Sequence, residues 1–165
     1  LLNRTLNMQV KYFDGEIKSG FITSADTEIA KEAMKTVEAV KARFDKYEVA
    51  EAAQEIVNFS NVVNKYVNDT APWGLAKEGK MQECAEVLYT VLESMRFIAT
   101  LLAPYCPNIA KDVYGQLNLA TDPCAVMLDS LKWGEIPAGV ITEKSKIKPV
   151  FLRLDSEIAG ASKKG

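Results

Sequence analysis

Residues 80–103, KMQECAEVLYTVLESMRFIATLLA, set the fold class. Val87, Leu88, Val91, Leu92, Met95, Ile98, Leu101 and Leu102 follow the three-and-four rhythm of a wide apolar helix face. Pro104 stops that helix, because proline lacks the next helical N–H and restricts the residue before it. Pro107 then stands where a proline opens a helix, and a short one is expected to about Leu117. Upstream, Glu48–Asp69 places Ala52, Ile56, Phe59, Val62, Val63, Tyr66 and Val67 on one side, and Pro72 forbids its continuation. Before it, a polar start at Ser24, Asp26 and Glu28 leads into Ile29, Ala33, Val37, Val40 and Phe44, a helix running to about Tyr47. Leu1–Phe13 is helical in pattern and closes on the turn pair Asp14-Gly15. The reading is an all-α antiparallel bundle of about five helices. Beyond Trp133 the periodicity fades, and Ile147–Leu154 is expected as an irregular, extended C-terminal strap. Residues 1–155 are expected to form the bundle and 156–165 the start of a linker or tail. No capping residue precedes Leu1, so the chain reads as a fragment with an upstream domain missing.

Composition narrows the function classes. The 165 residues carry 20 Lys and Arg against 22 Asp and Glu, a net charge of −2, and are 48% hydrophobic, which is ordinary for a globular domain. No apolar run approaches the roughly 20 residues a bilayer requires, so no membrane partner is expected. Cys84, Cys106 and Cys124 show neither a disulfide framework nor zinc-ligand spacing, and a reducing, cytoplasmic setting fits them. The decisive count is histidine, which is zero. Ser-His-Asp and Cys-His catalysis and His-Glu-x-x-His zinc sites are therefore excluded. Dinucleotide, Walker and kinase signatures are also absent from the sequence. Nothing reads as a complete active site, so no catalytic residue and no metal ligand is expected.

Three constellations remain. On the first helix Asn3, Arg4, Asn7 and Lys11 fall within one arc, beside a core-facing arc of Leu2, Leu6, Val10 and Phe13. Two cations, two amides and no acid can neutralise phosphate and read base edges; the same stripe also suits a solvated helix face. Asn58, Asn61, Asn64 and Asn68 share one face with Lys65. Asparagine is a mediocre helix former, so this face either scaffolds a neighbouring segment or meets a polar ligand. Trp73 follows Pro72 just past a helix end, where a proline turn would hold an exposed indole as a stacking platform; a loop tryptophan also commonly plugs a core. Trp133, in Leu131-Lys132-Trp133-Gly134, has the context of a hydrophobic anchor for the tail. Local charge permits a nucleic-acid role: Leu1–Phe13 holds two cations and no acid, although the whole chain is mildly acidic.

Leu2-Asn3-Arg4-Thr5-Leu6-Asn7-Met8 with Lys11-Tyr12-Phe13-Asp14-Gly15 resembles the first anticodon-domain helix of the bacterial methionyl-tRNA synthetase family. Asn64-Lys65-Tyr66-Val67-Asn68-Asp69-Thr70-Ala71-Pro72-Trp73 is similar to that family's most distinctive helical motif, and Arg96 through Pro107 to its later helix junction. Leu131-Lys132-Trp133-Gly134 and Pro149-Val150-Phe151-Leu152-Arg153 resemble the tail that returns toward the catalytic domain. The resemblance extends to about Asp155.

The resemblance implies a bundle that binds the CAU anticodon of methionine tRNA, while an upstream Rossmann-type domain of the same enzyme activates methionine with ATP and magnesium. By resemblance, Trp73 stacks on the first anticodon base, a cytosine, Asn7 hydrogen-bonds there, and Lys11 stands where several members have arginine. Asn3, Arg4 and Pro72 complete the implied contact set. The His-Ile-Gly-His and Lys-Met-Ser-Lys-Ser signatures are absent, so this chain is expected to hold no cofactor and to be inactive alone. Other readings are the bundle of a related class I synthetase and a helical interaction module that binds no RNA.

Overall fold

The computed structural model describes residues 1–150. Its helices are α1 (Leu2–Phe13), α2 (Glu28–Phe44), α3 (Val49–Thr70), α4 (Pro72–Lys77), α5 (Met81–Leu102) and α6 (Pro107–Gln116). The five expected helices are present. The sixth, α4, lies where the pattern predicts a loop, because Pro72 ends α3 and also opens the next helix from its first position.

The central element is α5. Sixteen of its side chains, from Cys84 to Leu101, are buried around its whole circumference rather than on one face. Helices α1, α2, α3, α4 and α6 all pack on it. A helix apolar all round must lie inside, and the outer helices need only one stripe each to cover it. On α2 that stripe is Ile29, Ala33, Val37 and Val40, and on α3 it is Ala52, Ile56, Phe59, Val63 and Val67. The period places Val62 there too, but it is 37% exposed: its position on the wheel falls past the edge of the contact with α5.

Local chemistry fixes the ends. Helix α2 begins later than its polar lead-in suggests, because Thr27 caps it by accepting from the Ala30 N–H at 3.3 Å. The α2–α3 turn is closed by Glu48 N–H donating to the Arg43 carbonyl at 2.9 Å, and the Arg43 guanidinium pairs with Glu48 at 2.8 Å and Glu55 at 3.3 Å. Four connecting residues force an antiparallel hairpin.

One polar cluster is buried in this apolar frame. Glu93 is 0% and Arg96 4% exposed, one turn apart on α5. The Glu93 carboxylate accepts from Arg96 Nη2 at 2.6 Å and from the backbone N–H groups of Gly134 (2.9 Å), Glu135 (3.0 Å) and Ile136 (3.3 Å). Arg96 donates onward to the Lys132 carbonyl and pairs with Glu135 at 3.0 Å. Burial by itself would lower the Arg96 pKa, but the Glu93 carboxylate outweighs it and holds the guanidinium charged. The pair thereby ties residues 132–136, which have no regular structure, to the bundle axis. Trp133 packs on Phe97 with ring centroids 5.6 Å apart and donates its indole N–H to Thr23 at 3.3 Å.

The chain then returns to the end of α1, where Ile17 N–H meets the Val140 carbonyl at 2.9 Å and Thr142 N–H the Gly15 carbonyl at 2.9 Å. Gly15 has φ +81, and a Cβ there would sit 2.4 Å from the Thr142 oxygen, so only glycine fits. Ile147 and Val150 pack as a strap on the cluster between α1, α5 and α6. The rest of the expected strap, to Leu154, and the boundary at 155–156 lie outside the described residues.

Removing Glu93 strands a buried guanidinium and three backbone donors. Glu93→Ala is expected to destabilise the domain by about 3–5 kcal/mol. Urea unfolding followed by circular dichroism measures this; a change within the scatter of surface substitutions would refute the central role of the pair.

Candidate nucleic-acid interface

Helix α1 is two-sided. Leu2, Thr5, Leu6, Met8 and Gln9 are buried, while Asn3, Arg4, Asn7 and Lys11 are exposed on successive turns. Val10 and Phe13, expected in the core, are half-buried at its edge, and Phe13 meets Phe21 at 4.8 Å. Gln9 locks the helix end by donating to the Glu16 carbonyl at 2.8 Å. The exposed stripe is thus held at a fixed rotation by the buried one.

Trp73 arrives beside it from α4. Ala71 ends α3 in the left-handed region (φ 42), and its carbonyl accepts from Gly74 N–H at 2.7 Å and Leu75 N–H at 3.2 Å to start α4. A left-handed non-glycine is held there by the hydrogen bonds on both sides. Pro72 is buried beneath the turn. Gly79, with φ +76, closes α4 as Lys80 N–H reaches the Leu75 carbonyl at 2.9 Å, a Schellman ending. Six residues are thereby pinned at both ends.

Trp73 is half-buried, not an exposed indole on a loop. It packs on the cluster of Met8, Cys84 and Leu88, and the Arg4 guanidinium lies over its ring 4.1 Å from the centroid. Two helices that both pack on α5 bring Arg4 and Trp73 into contact, which is why the indole is covered.

The structure brings Arg4, Asn7, Lys11 and Trp73 around one shallow hollow of about 380 Å³, completed by Met8 and Tyr12. No acid lines it. Among the described residues neither Arg4 nor Lys11 is in an ion pair, whereas most other cations of the domain are. Lys11 Nζ lies over the Tyr12 ring at 5.3 Å, so Arg4, not Lys11, is the cation on the tryptophan. The Asn7 side-chain amide donates to the Asn3 carbonyl at 2.7 Å and to Asn3 Oδ1 at 3.2 Å. That leaves Asn7 Oδ1 as an acceptor at the rim. Asn3 and Pro72 do not line the hollow; the first supports Asn7, the second sets the turn that carries Trp73. The arrangement offers aromatic faces, two cations and an amide acceptor on one solvent-open surface, a set suited to an anionic, base-bearing ligand.

Sequence reasoning missed Met8 and Tyr12 as walls and the Arg4–Trp73 contact. Tyr12 lies two turns beyond Arg4, close to the same face, and was legible from the helix period. The cation–π contact was not, because it joins residues 69 positions apart. The asparagines of α3 are all exposed, which removes the internal-scaffold reading of that strip. Asn64 donates to its own helix at the Ser60 carbonyl (3.0 Å), Asn58 accepts from Gln54 (3.0 Å), and Lys65 pairs with Asp69.

Residues 26–148 match the family described as the anticodon-binding domain of tRNA ligase. The methionine–tRNA ligase of Listeria monocytogenes is 36% identical over 161 residues, covering 96% of this chain and 24% of that protein. The corresponding ligase of Caldanaerobacter subterraneus is 34% identical over 99% of this chain and 26% of its own length. The chain therefore spans about a quarter of the length of the curated relatives it matches. Among solved structures, methionyl-tRNA synthetase of Mycobacterium tuberculosis bound by methionyl-adenylate aligns with a TM-score of 0.78 at 24% identity, over 92% of this chain and 30% of that one. That likeness establishes the same bundle fold.

The guanidinium over Trp73 shields one face of the indole from water. With Trp133→Phe as background, Arg4→Ala is expected to shift Trp73 emission to longer wavelength. An unchanged spectrum would show that Arg4 does not cover the ring in solution.

Proposed function

This chain belongs to the anticodon-binding domain family of tRNA ligases, and we propose that it is the part of a methionine–tRNA ligase that binds the CAU anticodon of methionine tRNA. The observation that carries the reading is the acid-free hollow in which Trp73 lies under Arg4 beside Asn7 and Lys11. A splayed base stacks on an indole or on a guanidinium plane, and the pair offers both surfaces.

Cytosine presents a donor at N4 and acceptors at N3 and O2. Asn7 Oδ1, left free by the Asn3 contact, accepts from N4, while Arg4 or Lys11 donates to N3 and O2. Uracil reverses two of these groups: its O4 meets the Asn7 oxygen and its N3–H meets a cation. Buried polar groups left unmatched typically cost a few kcal/mol, enough to discriminate the two bases. Lysine at position 11 keeps charge but lacks the planar fork of arginine, so the bidentate role falls to Arg4.

The partners of this reading are methionine tRNA and a Rossmann-type catalytic domain elsewhere in the same cytoplasmic enzyme. Among the described residues no helix is long and apolar enough to cross a membrane. ATP with magnesium belongs to that catalytic domain. The Glu143-Lys144-Ser145-Lys146 stretch resembles the Lys-Met-Ser-Lys-Ser signature only superficially: it forms a surface turn in which Lys146 is taken up by Glu143 at 2.7 Å and Asn118 at 3.0 Å.

Two measurements test the proposal. Stacking one base on an aromatic is worth ~1–3 kcal/mol, so Trp73→Ala is expected to weaken binding of a CAU stem-loop roughly 5- to 150-fold. In the same assay Asn7→Ala and Lys11→Ala are expected to narrow the preference for cytosine over uracil at the first position. Equal losses on both stem-loops with a flattened salt dependence would reduce Lys11 to a phosphate contact. No RNA binding by the parent chain at low salt would instead favour a helical interaction module. The second measurement is methionine-dependent exchange of pyrophosphate into ATP, for which the chain alone is expected to be silent.

A further inference from the structure

We propose that the hollow between the C-terminal end of α6 and residues 145–148 binds a phosphate group, with the Gln116 side-chain amide as its inner donor. The site shares no residue with the hollow around Trp73 and does not rest on the anticodon reading.

The first observation is an orphaned donor. Gln116 is 2% exposed, and among the described residues its side-chain nitrogen is the one buried side-chain polar atom with no hydrogen-bond partner. Its orientation is not interchangeable. The backbone N–H of Lys148 donates to Gln116 Oε1 at 3.2 Å, and a flipped amide would set two donors against each other. The group that completes Gln116 is therefore an acceptor. A buried N–H is costly to leave unmatched, and a bound acceptor recovers that cost.

The second observation is the wall around it. Gln116 lines a hollow of about 530 Å³ that also carries Lys111, Ser145, Lys146 and Lys148, against a single acid, Asp112. The three ammonium groups are paired, Lys111 with Asp122 at 3.4 Å, Lys146 with Glu143 at 2.7 Å and Lys148 with Asp112 at 3.0 Å. Lys146 donates to Asn118 Oδ1 as well, at 3.0 Å. An ammonium has three hydrogens, so each lysine keeps at least one for a further acceptor. All three side chains are exposed, so an anion reaches them from solvent. The donors come from two walls, α6 and the returning chain. A carboxylate offers two oxygens in one plane, whereas a tetrahedral phosphate offers oxygens to both walls at once. Positive charge outside and a neutral, fixed amide inside thus select an oxyanion over a water or a cation.

The test titrates this chain with inorganic phosphate, using chloride and acetate at matched ionic strength as controls. The Gln116 side-chain amide protons, assigned by their loss in Gln116→Met, are expected to shift with phosphate and far less with either control. The thermal midpoint should rise with phosphate in the parent, as it must when a ligand binds only the folded state. Gln116→Met and Lys148→Ala are expected to weaken phosphate binding roughly tenfold or more, and Lys31→Ala, on α2, to leave it unchanged. Methionine fills the glutamine's space without the stranded donor, so Gln116→Met should be at least as stable as the parent when phosphate is absent. Silence of the Gln116 amide would mean that its nitrogen holds only a water, and equal responses to all three anions would mean bulk screening; either overturns the inference. So would identical titrations in the parent and both variants. Repeating the titration with a CAU stem-loop identifies the source of the phosphate. A stem-loop that itself shifts the Gln116 amide and suppresses the phosphate response assigns the site to an RNA backbone phosphate. An unaltered response assigns it to a free phosphate ligand, and phosphate binding by a chain that binds no RNA leaves this site standing while the anticodon reading falls.

Discussion

A carboxylate with no access to water organises this domain. Glu93 sits at the middle of the most enclosed helix, and its oxygens collect Arg96 and three consecutive backbone donors from residues 134–136. The segment after α6 contains, among the described residues, no regular element longer than a three-residue turn, so it has no ladder of its own to satisfy its backbone groups. The pair supplies that satisfaction from the bundle axis. Where it does so determines where Trp133 lands, and how the chain returns to the end of α1 at Gly15. A buried ion pair is weak evidence for net stability compared with apolar packing. Its role here is directional, since it fixes one path for a segment that apolar contacts alone would leave many ways to lie.

That return matters for the interface. Helix α1 carries four of the polar side chains of the candidate surface, and its rotation is set by what its other face buries. Gln9, Gly15 and Thr142 hold its C-terminal end, while Leu2 and Leu6 seat it on α5. The exposed stripe is therefore presented by a rigid element, and preorganised groups lose less freedom when a ligand orders them. On the other side of the hollow, α4 is too short to be stable by itself. It persists because Pro72 starts it without an orphaned N–H, Gly79 ends it, and Trp73 is pressed between α5 and Arg4.

Charge in this domain is arranged locally rather than in bulk. The chain as a whole is slightly acidic, and among the described residues most lysines and arginines are paired with carboxylates. Arg4 and Lys11 escape that pattern because α1 carries no acid at all. Their attraction for phosphate is undiminished by a neighbour, although the acidic remainder limits long-range steering. Specificity then falls to amides and aromatic faces, which discriminate bases without adding non-specific affinity.

The residue pattern by itself determined the helix count to within one, the stop at Pro104, the buried stripes of α2 and α3, and the identity of the polar face on α1. These are local matters: a helix period and a proline act over a few residues, so they are written within a few residues. Absence of histidine was equally legible, and composition alone thereby removed histidine-dependent catalysis. The tertiary structure decided the rest. It turned the stretch after Pro72 into a helix, buried half of Trp73, placed Arg4 rather than Lys11 upon it, and moved Val62 to the surface. It also joined Glu93 and Arg96 to a segment some forty residues away. Each of these depends on which outer helix meets which side of α5, and a helix buried on every side gives its partners no single preferred face in the sequence. Only the packed bundle, with all its partners present, selects one.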